Sequence, residues 1–277
     1  MSGEVAAAAS GPVFAPWLAR WGLTPDGAPF SSLAGKLLPV RMAGAAAILK
    51  VTKEHEEIAG GALMEWWGGD GAAQVLAREG EALLLERATG RRSLAAMARG
   101  GEDDEATRIL CAAGDRLHAP RATPPPVTLV PLQTWFRQLW PTAEAHGGLY
   151  AKSAKAARAL LDDPRDVSVV HGDLHHGNVL DFGERGWLAI DPKGVFGERS
   201  YDYPHIIMNP DAETATAPGR LARRIEVISE AAQVDPRRLL QWTLAYAGLS
   251  ACWMLDSGGN PWQALAVGEI AAAQLGV

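Results

Sequence analysis

Cysteine, long apolar runs and positive charge are all scarce in this sequence. The two cysteines, Cys111 and Cys252, lie far apart and form no spaced pair, which argues against a disulfide framework and favours a reduced, intracellular protein. No stretch approaches the roughly 18 apolar residues that are needed to span a membrane. Glu4 stands where a signal segment would carry positive charge. We therefore expect a cytoplasmic protein with no membrane partner.

Acidic residues outnumber basic ones, 32 against 26, and the formal net charge is −6. This balance argues against a nucleic-acid partner, which would require a basic face, and is compatible with a cationic small-molecule substrate. With 48% hydrophobic and 21% charged residues, the 277-residue chain has the composition of a soluble globular protein of one or two domains. The oligomeric state is left open, and a monomer is compatible with the composition.

One segment in the middle of the chain is the most informative about function. Apolar pairs at 169–170 and 179–180 flank a polar loop that contains Asp173 and, five residues later, Asn178; a turn then leads to an apolar run that ends at Asp191. In kinases a loop Asp receives the proton of the substrate hydroxyl, an Asn five residues later binds Mg²⁺, and an Asp after the next hairpin also binds metal. The three residues match this pattern in type, order and spacing.

The same loop also contains residue types that commonly bind zinc, so a metal cluster is an alternative interpretation. Its members would be His171, Asp173, His175 and His176. A zinc site would leave Asn178 and Asp191 without a role, whereas the kinase pattern uses both. The kinase interpretation is therefore favoured.

A literal Asp-Phe-Gly at residues 181–183 imitates the magnesium motif of protein kinases. It begins only three residues after Asn178, inside the hairpin turn, and this is too close to fold back over a metal site. We predict that Asp181 opens the turn and that Gly183 relieves it. Asp191 is then the predicted metal ligand.

The strings His171-Gly172-Asp173 with Asn178, and Ile190-Asp191-Pro192, resemble the aminoglycoside phosphotransferases. The longer strings 171–178 and 185–194 are most similar to the streptomycin 6-phosphotransferase and hydroxyurea kinase branch of that family. The resemblance covers most of the chain from about residue 30.

This resemblance implies an α+β fold of the two-lobed, protein-kinase-like type. The N-lobe, residues 1–87, would be a small antiparallel sheet that binds the nucleotide. The C-lobe, residues 88–277, would be mainly helical and would contain the catalytic loop and the substrate-binding helices. The implied cofactors are ATP and Mg²⁺, with Asp173 as the catalytic residue and Asn178 and Asp191 as metal ligands.

Lys50 is the single lysine in an apolar strand predicted over residues 45–51. The kinase pattern implies that it pairs with the α- and β-phosphates of ATP, although the run alone is also compatible with an edge-strand lysine that faces water. A helix is predicted over residues 53–67, and we expect its Glu57 to orient Lys50. The other acidic candidates on this helix are Glu54, Glu56 and Glu65.

The sequence has no Gly-x-Gly-x-x-Gly loop before Lys50 to cover the phosphates. By resemblance, Ser31, Ser32 and Gly35 would contact the nucleotide there through hydroxyl and backbone N–H groups. The backbone from Glu86 to Ala88 would form the hinge that hydrogen-bonds the adenine.

Residues for the second substrate are predicted from charge and position. A cationic ligand needs carboxylates near Asp173, although each candidate could instead be an ordinary surface acid; they are Glu198, Asp202 and Asp256. Aromatic faces for stacking a guanidinium group could come from Trp242, Trp253 and Trp262, although core packing is the alternative for most of them. We expect His171 and His175 to brace the loop.

The sequence therefore predicts an ATP-dependent phosphotransferase that phosphorylates a hydroxyl of a streptomycin-like aminoglycoside, as an antibiotic resistance kinase does. One alternative is a kinase of another small molecule, such as hydroxyurea, an amino sugar or a metabolite. A more distant alternative is a nucleotide-binding pseudokinase module. The full set of Lys50, Asp173, Asn178 and Asp191 argues against that alternative, because such modules usually lack at least one of them.

Overall fold

The structure is a computed structural model that describes residues 11–32, 35–125 and 129–277. The chain forms two compact units. The described residues of the first unit are 11–32, 35–91, 124–125 and 180–193. Those of the second unit are 92–123, 129–179 and 194–277. The predicted boundary between residues 87 and 88 thus differs from the structure, where the first unit also includes a later segment.

The first unit is built on an antiparallel sheet with strand order β1-β3-β4-β6-β5, in which β2 also pairs with β3. Its strands are β1 (Leu23–Pro25), β2 (Phe30–Ser32), β3 (Gly35–Met42), β4 (Ala45–Val51), β5 (Val75–Glu79) and β6 (Ala82–Glu86). Its helices are α1 (Ala15–Trp21) and α2 (His55–Trp67). The small antiparallel sheet agrees with the predicted α+β fold.

Strand β4 lies between β3 and β6, so Lys50 is on a central strand and not at an edge. Ala47, Leu49 and Val51 are buried in one hydrophobic cluster that includes Phe14, which directly precedes helix α1. Side chains alternate between the faces of a strand, so Lys50 points away from this cluster.

Helix α2 ends at Gly68, which adopts the left-handed conformation at φ 60° that glycine tolerates best at helix ends. Leu63, Met64 and Trp67 are buried along its length. At Gly60 a Cβ atom would lie 2.3 Å from the backbone oxygen of Pro192, so only glycine lets the helix approach that segment so closely.

Residues 180–193 belong to the first unit because of backbone pairing. Strand β9 (Val179–Asp181) pairs with β10 (Trp187–Ala189). Ala189 then exchanges hydrogen bonds with the backbone before β5, donating to Gly71 O and accepting from Ala73 N, both at 2.9 Å.

The turn between β9 and β10 contains the literal Asp-Phe-Gly. Asp181 Oδ1 accepts a hydrogen bond of 2.9 Å from Gly183 N, and Gly183 has a φ of 65°. Residues Gly183–Arg185 form a single 3₁₀ turn. The prediction that this string is turn chemistry is confirmed.

The second unit is mainly helical and contains one three-stranded sheet of order β7-β11-β8. The strands are β7 (Val130–Pro131), β8 (Val167–Val170) and β11 (Val195–Glu198). The helices are α3 (Leu94–Arg99), α4 (Asp103–His118), α5 (Leu132–Trp135), α6 (Leu139–His146), α7 (Gly148–Asp162), α8 (Tyr203–Met208), α9 (Ala212–Ala215), α10 (Arg220–Ala232), α11 (Pro236–Asp256) and α12 (Trp262–Leu275). Short 3₁₀ helices span Phe136–Gln138 and Arg199–Asp202.

Helix α11 is the central helix of this unit and packs against α7 and α12. The carboxylate of Asp235 caps its N-terminus by accepting a hydrogen bond of 2.7 Å from Arg238 N. A Cβ atom at Gly248 would lie 2.3 Å from Ser153 Cβ, so the glycine allows close packing on α7. Across the part of the chain that the structure describes, no helix is both long and apolar enough to cross a membrane.

Candidate active site

The loop that contains Asp173 is anchored by a buried carboxylate. Strand β8 leads into the loop, and Asp202, whose exposed fraction is 0%, accepts hydrogen bonds from His171 N at 2.8 Å and Gly172 N at 2.7 Å. His118 Nε2 lies 2.7 Å from the same carboxylate. Burial alone would raise the pKa of Asp202, but the hydrogen bond with His118 outweighs it and holds that pKa below its usual range. The start of the loop is therefore fixed by an ionised group beneath it.

Asp173 lies among one amide group and two imidazole rings. Asn178 Nδ2 lies 2.9 Å from its backbone oxygen and 3.0 Å from Oδ2, and donates to both. His175 Nε2 lies 3.6 Å from Oδ2, and His205 Nδ1 lies 3.4 Å from Oδ1. Burial would raise the pKa of Asp173, but the two imidazoles hold it well below its usual range. Asp173 is therefore ionised at neutral pH.

The histidines of the loop have structural contacts. His171 Nδ1 accepts a hydrogen bond of 3.2 Å from Asp173 N, and His175 Nδ1 accepts one of 2.9 Å from Gly177 N. Because Nδ1 of His175 is an acceptor, the proton of the neutral ring is on Nε2, the nitrogen that faces Asp173. Both rings therefore brace the loop, as expected from the sequence.

The loop offers an oxygen ligand rather than a zinc cluster. Since Asn178 Nδ2 donates to two oxygens of Asp173, the amide oxygen Oδ1 is the atom left for a cation. Within the described ranges, the histidines and carboxylates include no group of three or more that could hold a metal ion. An amide oxygen and carboxylates suit Mg²⁺, which binds oxygen and retains several waters.

The first unit contains a chain of ion pairs around Lys50. Its Nζ lies 2.5 Å from Glu57 Oε2 and 2.8 Å from Asp191 Oδ1. Only 3% of Lys50 is exposed, so its charge is balanced within the protein. Asp191 is held in the left-handed region at φ 58°, a conformation that costs energy for a residue other than glycine. The contact that we predicted between Lys50 and Glu57 is present.

Lys193 is a site residue that the sequence reasoning missed. Its Nζ lies 2.6 Å from Glu57 Oε1, so Glu57 accepts one lysine on each carboxylate oxygen. A weak signal was available, because Lys193 follows Asp191 by two residues and therefore lies close to it along the backbone.

Two predicted substrate carboxylates are buried. Glu198, of which 1% is exposed, accepts hydrogen bonds from Arg238 at 2.7 and 2.5 Å, from Trp242 Nε1 at 2.8 Å and from Arg165 N at 3.0 Å. Asp202 anchors the loop that contains Asp173. The prediction that these two acids bind the substrate therefore disagrees with the structure, because their oxygens are already paired inside the protein.

The other residues predicted to bind the second substrate differ in how far they are exposed to solvent. Trp242 is fully buried and donates to Glu198, so core packing is its role. Asp256 is exposed at the end of α11, where Gln138 Nε2 donates to its carboxylate. Trp262, 55% exposed, begins α12. Asp256 therefore stays available to a ligand.

The predicted nucleotide contacts lie at the ends of strands. Ser31 and Ser32 are exposed on β2 and pair with Lys36 and Gly35 of β3. Glu86 ends β6, and its carboxylate accepts a hydrogen bond of 2.6 Å from Gln74 N.

The Glu86 side chain also pairs with Arg185, so only its backbone could serve an adenine. Ala88 is half-buried in the irregular segment that follows β6. The roles of Ser31, Ser32, Glu86 and Ala88 stay predictions.

A family profile described as aminoglycoside/hydroxyurea antibiotic resistance kinase matches residues 20–258. The chain belongs to this family. It is 49% identical over 244 residues to a streptomycin 3''-kinase of Klebsiella pneumoniae, covering 86% of this chain and 91% of that one. It is 32% identical over 269 residues to a streptomycin 6-kinase of Streptomyces griseus, covering 92% and 85%. A hydroxyurea phosphotransferase of Kitasatospora aureofaciens is 29% identical over 289 residues, covering 95% and 78%.

The fold also matches solved structures of kinases. A thermostable mutant of the aminoglycoside phosphotransferase APH(4)-Ia, in complex with AMP-PNP and hygromycin B, has a TM-score of 0.69 at 13% identity and covers 96% of this chain and 100% of that one. A choline/ethanolamine kinase family protein from Mesorhizobium loti has a TM-score of 0.64 at 18% identity, covering 99% and 94%. These likenesses establish the kinase-like α+β fold, as predicted from the sequence.

Proposed function

We propose that this protein transfers the γ-phosphoryl group of ATP to a hydroxyl of streptomycin. The observation that carries most weight is the 49% identity with a streptomycin 3''-kinase over 86% of the chain. The side chains that the reaction needs are also present, since Lys50 is paired with Glu57 and Asp191, and Asp173 is ionised beside Asn178. A pseudokinase would lack such a set.

Residues of both units are assigned to the binding of ATP and Mg²⁺. In the first unit, Lys50 would pair with the phosphates of ATP, while Asp191 would exchange its contact with Lys50 for Mg²⁺. In the second unit, Asn178 would offer its amide oxygen to Mg²⁺. The bound metal would neutralise charge on the phosphates.

Asp173 would act on the acceptor hydroxyl. Its carboxylate is 32% exposed and ionised, so it can accept a hydrogen bond from the hydroxyl and aim the oxygen at phosphorus. The new O–P bond forms as the bond between the γ-phosphorus and ADP breaks, and the hydroxyl proton leaves through Asp173. Since the pKa of Asp173 is held low, orientation is its larger contribution, and proton transfer comes late in a loose transition state.

The same comparison supports a proposal for the position of the phosphorylated hydroxyl. The motif strings resemble the 6-kinase branch, but identity with the 3''-kinase is 49% against 32% for the Streptomyces griseus 6-kinase. We therefore propose the 3''-hydroxyl as the acceptor. We place the reaction in the cytoplasm, because that is where the proposed enzyme would find ATP.

Hydroxyurea is the second candidate acceptor, because a hydroxyurea phosphotransferase is 29% identical across 95% of the chain. The deciding experiment measures ADP release by the purified protein with Mg·ATP and either streptomycin or hydroxyurea, followed by ³¹P–¹H NMR of the product. We expect turnover of streptomycin and a product in which the phosphate is esterified to the 3''-hydroxyl. Asp173→Asn should lower turnover by about 10²–10⁴-fold while nucleotide binding is kept. Turnover of hydroxyurea alone would reject the antibiotic as the substrate.

A further inference from the structure

An array of aromatic rings connects Asp173 with the surface of the second unit. The array begins at His205, whose Nδ1 lies 3.4 Å from Asp173 Oδ1. The His205 ring packs on Tyr246 with centroids 4.0 Å apart and meets Tyr201 edge-on at 5.3 Å. Two buried tyrosines thus pack against the imidazole ring that lies beside the Asp173 carboxylate.

The array continues to two tryptophans. Tyr246 meets Trp253 at 6.3 Å and 72°, and Trp253 meets Trp135 at 5.6 Å and 77°. Trp135 Nε1 donates a hydrogen bond of 2.7 Å to Tyr201 OH. This bond holds the polar edge of Trp135 inside the protein, so the orientation of the ring is fixed.

The array changes from buried to exposed along its length. His205 is 1% exposed and Tyr246 is 7% exposed, whereas Trp135 and Trp253 are only half-buried. The Asp173 carboxylate, at the other end, is partly exposed as well. Two nearly perpendicular indole rings therefore lie at the more exposed end of the array, and His205 beside Asp173 lies at its buried end.

The two segments that supply these rings also supply a carboxylate, Asp256, and its amide partner, Gln138. Asp256 follows Trp253 by three residues, which places it on the next turn of α11 near the same face. Gln138 follows Trp135 by three residues and donates to Asp256. The two segments that supply the tryptophans thus also supply a carboxylate–amide pair, and the carboxylate is exposed to solvent.

We propose that Trp135, Trp253 and Asp256 form a binding site for a guanidinium group of the acceptor, here named the guanidinium platform. A planar cation stacks on indole faces and donates paired hydrogen bonds to a carboxylate. The proposal rests on the proposed function, because streptomycin carries guanidinium groups on its streptidine ring. The platform holds that ring while a hydroxyl elsewhere on the molecule reaches Asp173.

The first test replaces one ring and one charge. Trp253→Leu and Asp256→Asn should each raise KM for streptomycin by about 5- to 30-fold, the effect expected for losing a desolvated cation–π contact or its paired charge, and leave KM for ATP unchanged. Trp253→Phe should recover most of the loss, because it restores an aromatic face.

The matched control is Trp140→Leu. Trp140 is also half-buried in the second unit, but Arg158 already lies over its ring at 5.3 Å, so its removal should leave KM for streptomycin unchanged. A change as large as that of Trp253→Leu would point to general loss of packing and would overturn the platform.

The second test measures binding without catalysis. Streptidine alone should quench the tryptophan fluorescence of the wild-type protein and compete with streptomycin, and Trp253→Leu should reduce the quenching and shift it to streptidine concentrations about 5- to 30-fold higher. If the wild-type enzyme turns over streptomycin while Trp253→Leu and Asp256→Asn keep its KM, the platform is rejected and the proposed function stands. If the wild-type protein consumes no ATP with streptomycin, the proposed function fails, and absence of quenching by streptidine then rejects the platform as well.

Discussion

Glu57 accepts one lysine on each of its carboxylate oxygens. Lys50 is the lysine that the kinase pattern places on the phosphates, and it also pairs with Asp191. If Lys50 binds the phosphates and Asp191 binds Mg²⁺, as we propose, the two side chains exchange their mutual contact for these ligands, and Lys50 loses one of the contacts that hold it in place. Lys193 keeps a contact of 2.6 Å with Glu57 that this exchange does not require, so it can hold Glu57 while Lys50 changes partners.

Replacement of Lys193 should therefore weaken nucleotide use. Lys193→Met should raise the dissociation constant of Mg·ATP and lower kcat/KM by about 10- to 100-fold, as is usual when a group that orients a ligand set is lost. Lys193→Arg should recover most of the loss. Lys53→Met is the matched control, because the Lys53 side chain is 81% exposed and its ion pair with Glu81 is long, at 4.0 Å. Equal effects of Lys193→Met and Lys53→Met would show that net charge, and not position, matters.

The choice of Asp191 over Asp181 as metal ligand can be tested with a matched pair of variants. Asp191→Asn should lower turnover by at least about 100-fold and weaken binding of Mg·ATP, because it removes a charged ligand. Asp181→Asn should keep activity, since an amide oxygen can still accept the hydrogen bond from Gly183 N. The Mg²⁺ dependence of ADP release measures the activity of both variants. Loss of activity in Asp181→Asn, with Asp191→Asn active, would reverse the assignment.

Residues whose partners lie nearby in sequence could be predicted. Lys50 and Glu57 are seven residues apart, and Asp173 and Asn178 are five residues apart on one loop. Glu198, in contrast, is buried by Arg238, forty residues further along the chain, and Asp202 pairs with His118 on another helix. Charge type alone cannot distinguish such buried acids from surface acids, because burial is decided by distant partners.

At the scale of elements, strand β4 occupies the predicted residues 45–51, and helix α2 begins at His55 instead of at residue 53. Both elements could be predicted because their apolar residues follow clear local patterns in the sequence. The assignment of residues 180–193 to the first unit could not be predicted, because it depends on backbone hydrogen bonds between Ala189 and the segment before β5. Such pairings carry no side-chain signal in the sequence.

Two adjacent glycines of helix α2 allow a test of how closely it must approach the Asp191 segment. A Cβ atom at Gly60 would lie 2.3 Å from Pro192 O, whereas one at Gly61 would meet only the ends of flexible side chains, at 3.3 Å or more. Gly60→Ala should therefore displace the Asp191 segment and lower affinity for Mg·ATP by about 10-fold or more.

Gly61→Ala is the matched control. Both changes improve helix propensity by up to ~1 kcal/mol, so Gly61→Ala should keep nucleotide affinity and match or exceed the wild-type Tm. Nucleotide titration and thermal unfolding measure the two quantities. If Gly60→Ala bound nucleotide as tightly as Gly61→Ala, close packing of α2 on Pro192 would not be required.

At the scale of the whole molecule, the chain forms the first unit, enters the second, returns to the first at residues 124–125 and again for residues 180–193, and ends in the second. The catalytic segment follows this path, since Asp173 and Asn178 belong to the second unit and Asp191 to the first. A single cut at residue 87 would therefore remove Asp191 from the unit that contains Lys50. Neither unit contains all the predicted catalytic and metal-binding residues, so we expect that separate expression of the two parts gives no active enzyme.

Because the thiol of Cys111 is buried, we expect the folded protein to lose stability as the pH rises above 9. Burial first, and the charge of Asp115 second, raise the pKa of Cys111 from 9.0 to about 12. The folded state therefore keeps a proton that the unfolded chain loses above pH 9, so its stabilising effect is complete below pH 9 and decreases as pH rises towards 12. Each pH unit in that window costs about 1.4 kcal/mol of unfolding free energy.

The measurement is urea unfolding of the wild-type protein and of Cys111→Ala at several pH values from 8 to 11. Cys111→Ala loses packing at every pH, but it should lose less additional stability above pH 9, because it has no thiol to ionise when it unfolds. Subtracting the two series removes the contribution of tyrosines and of Cys252, which both proteins share. Parallel curves for the two proteins would contradict the burial of this thiol, and so would rapid reaction of native Cys111 with a thiol reagent.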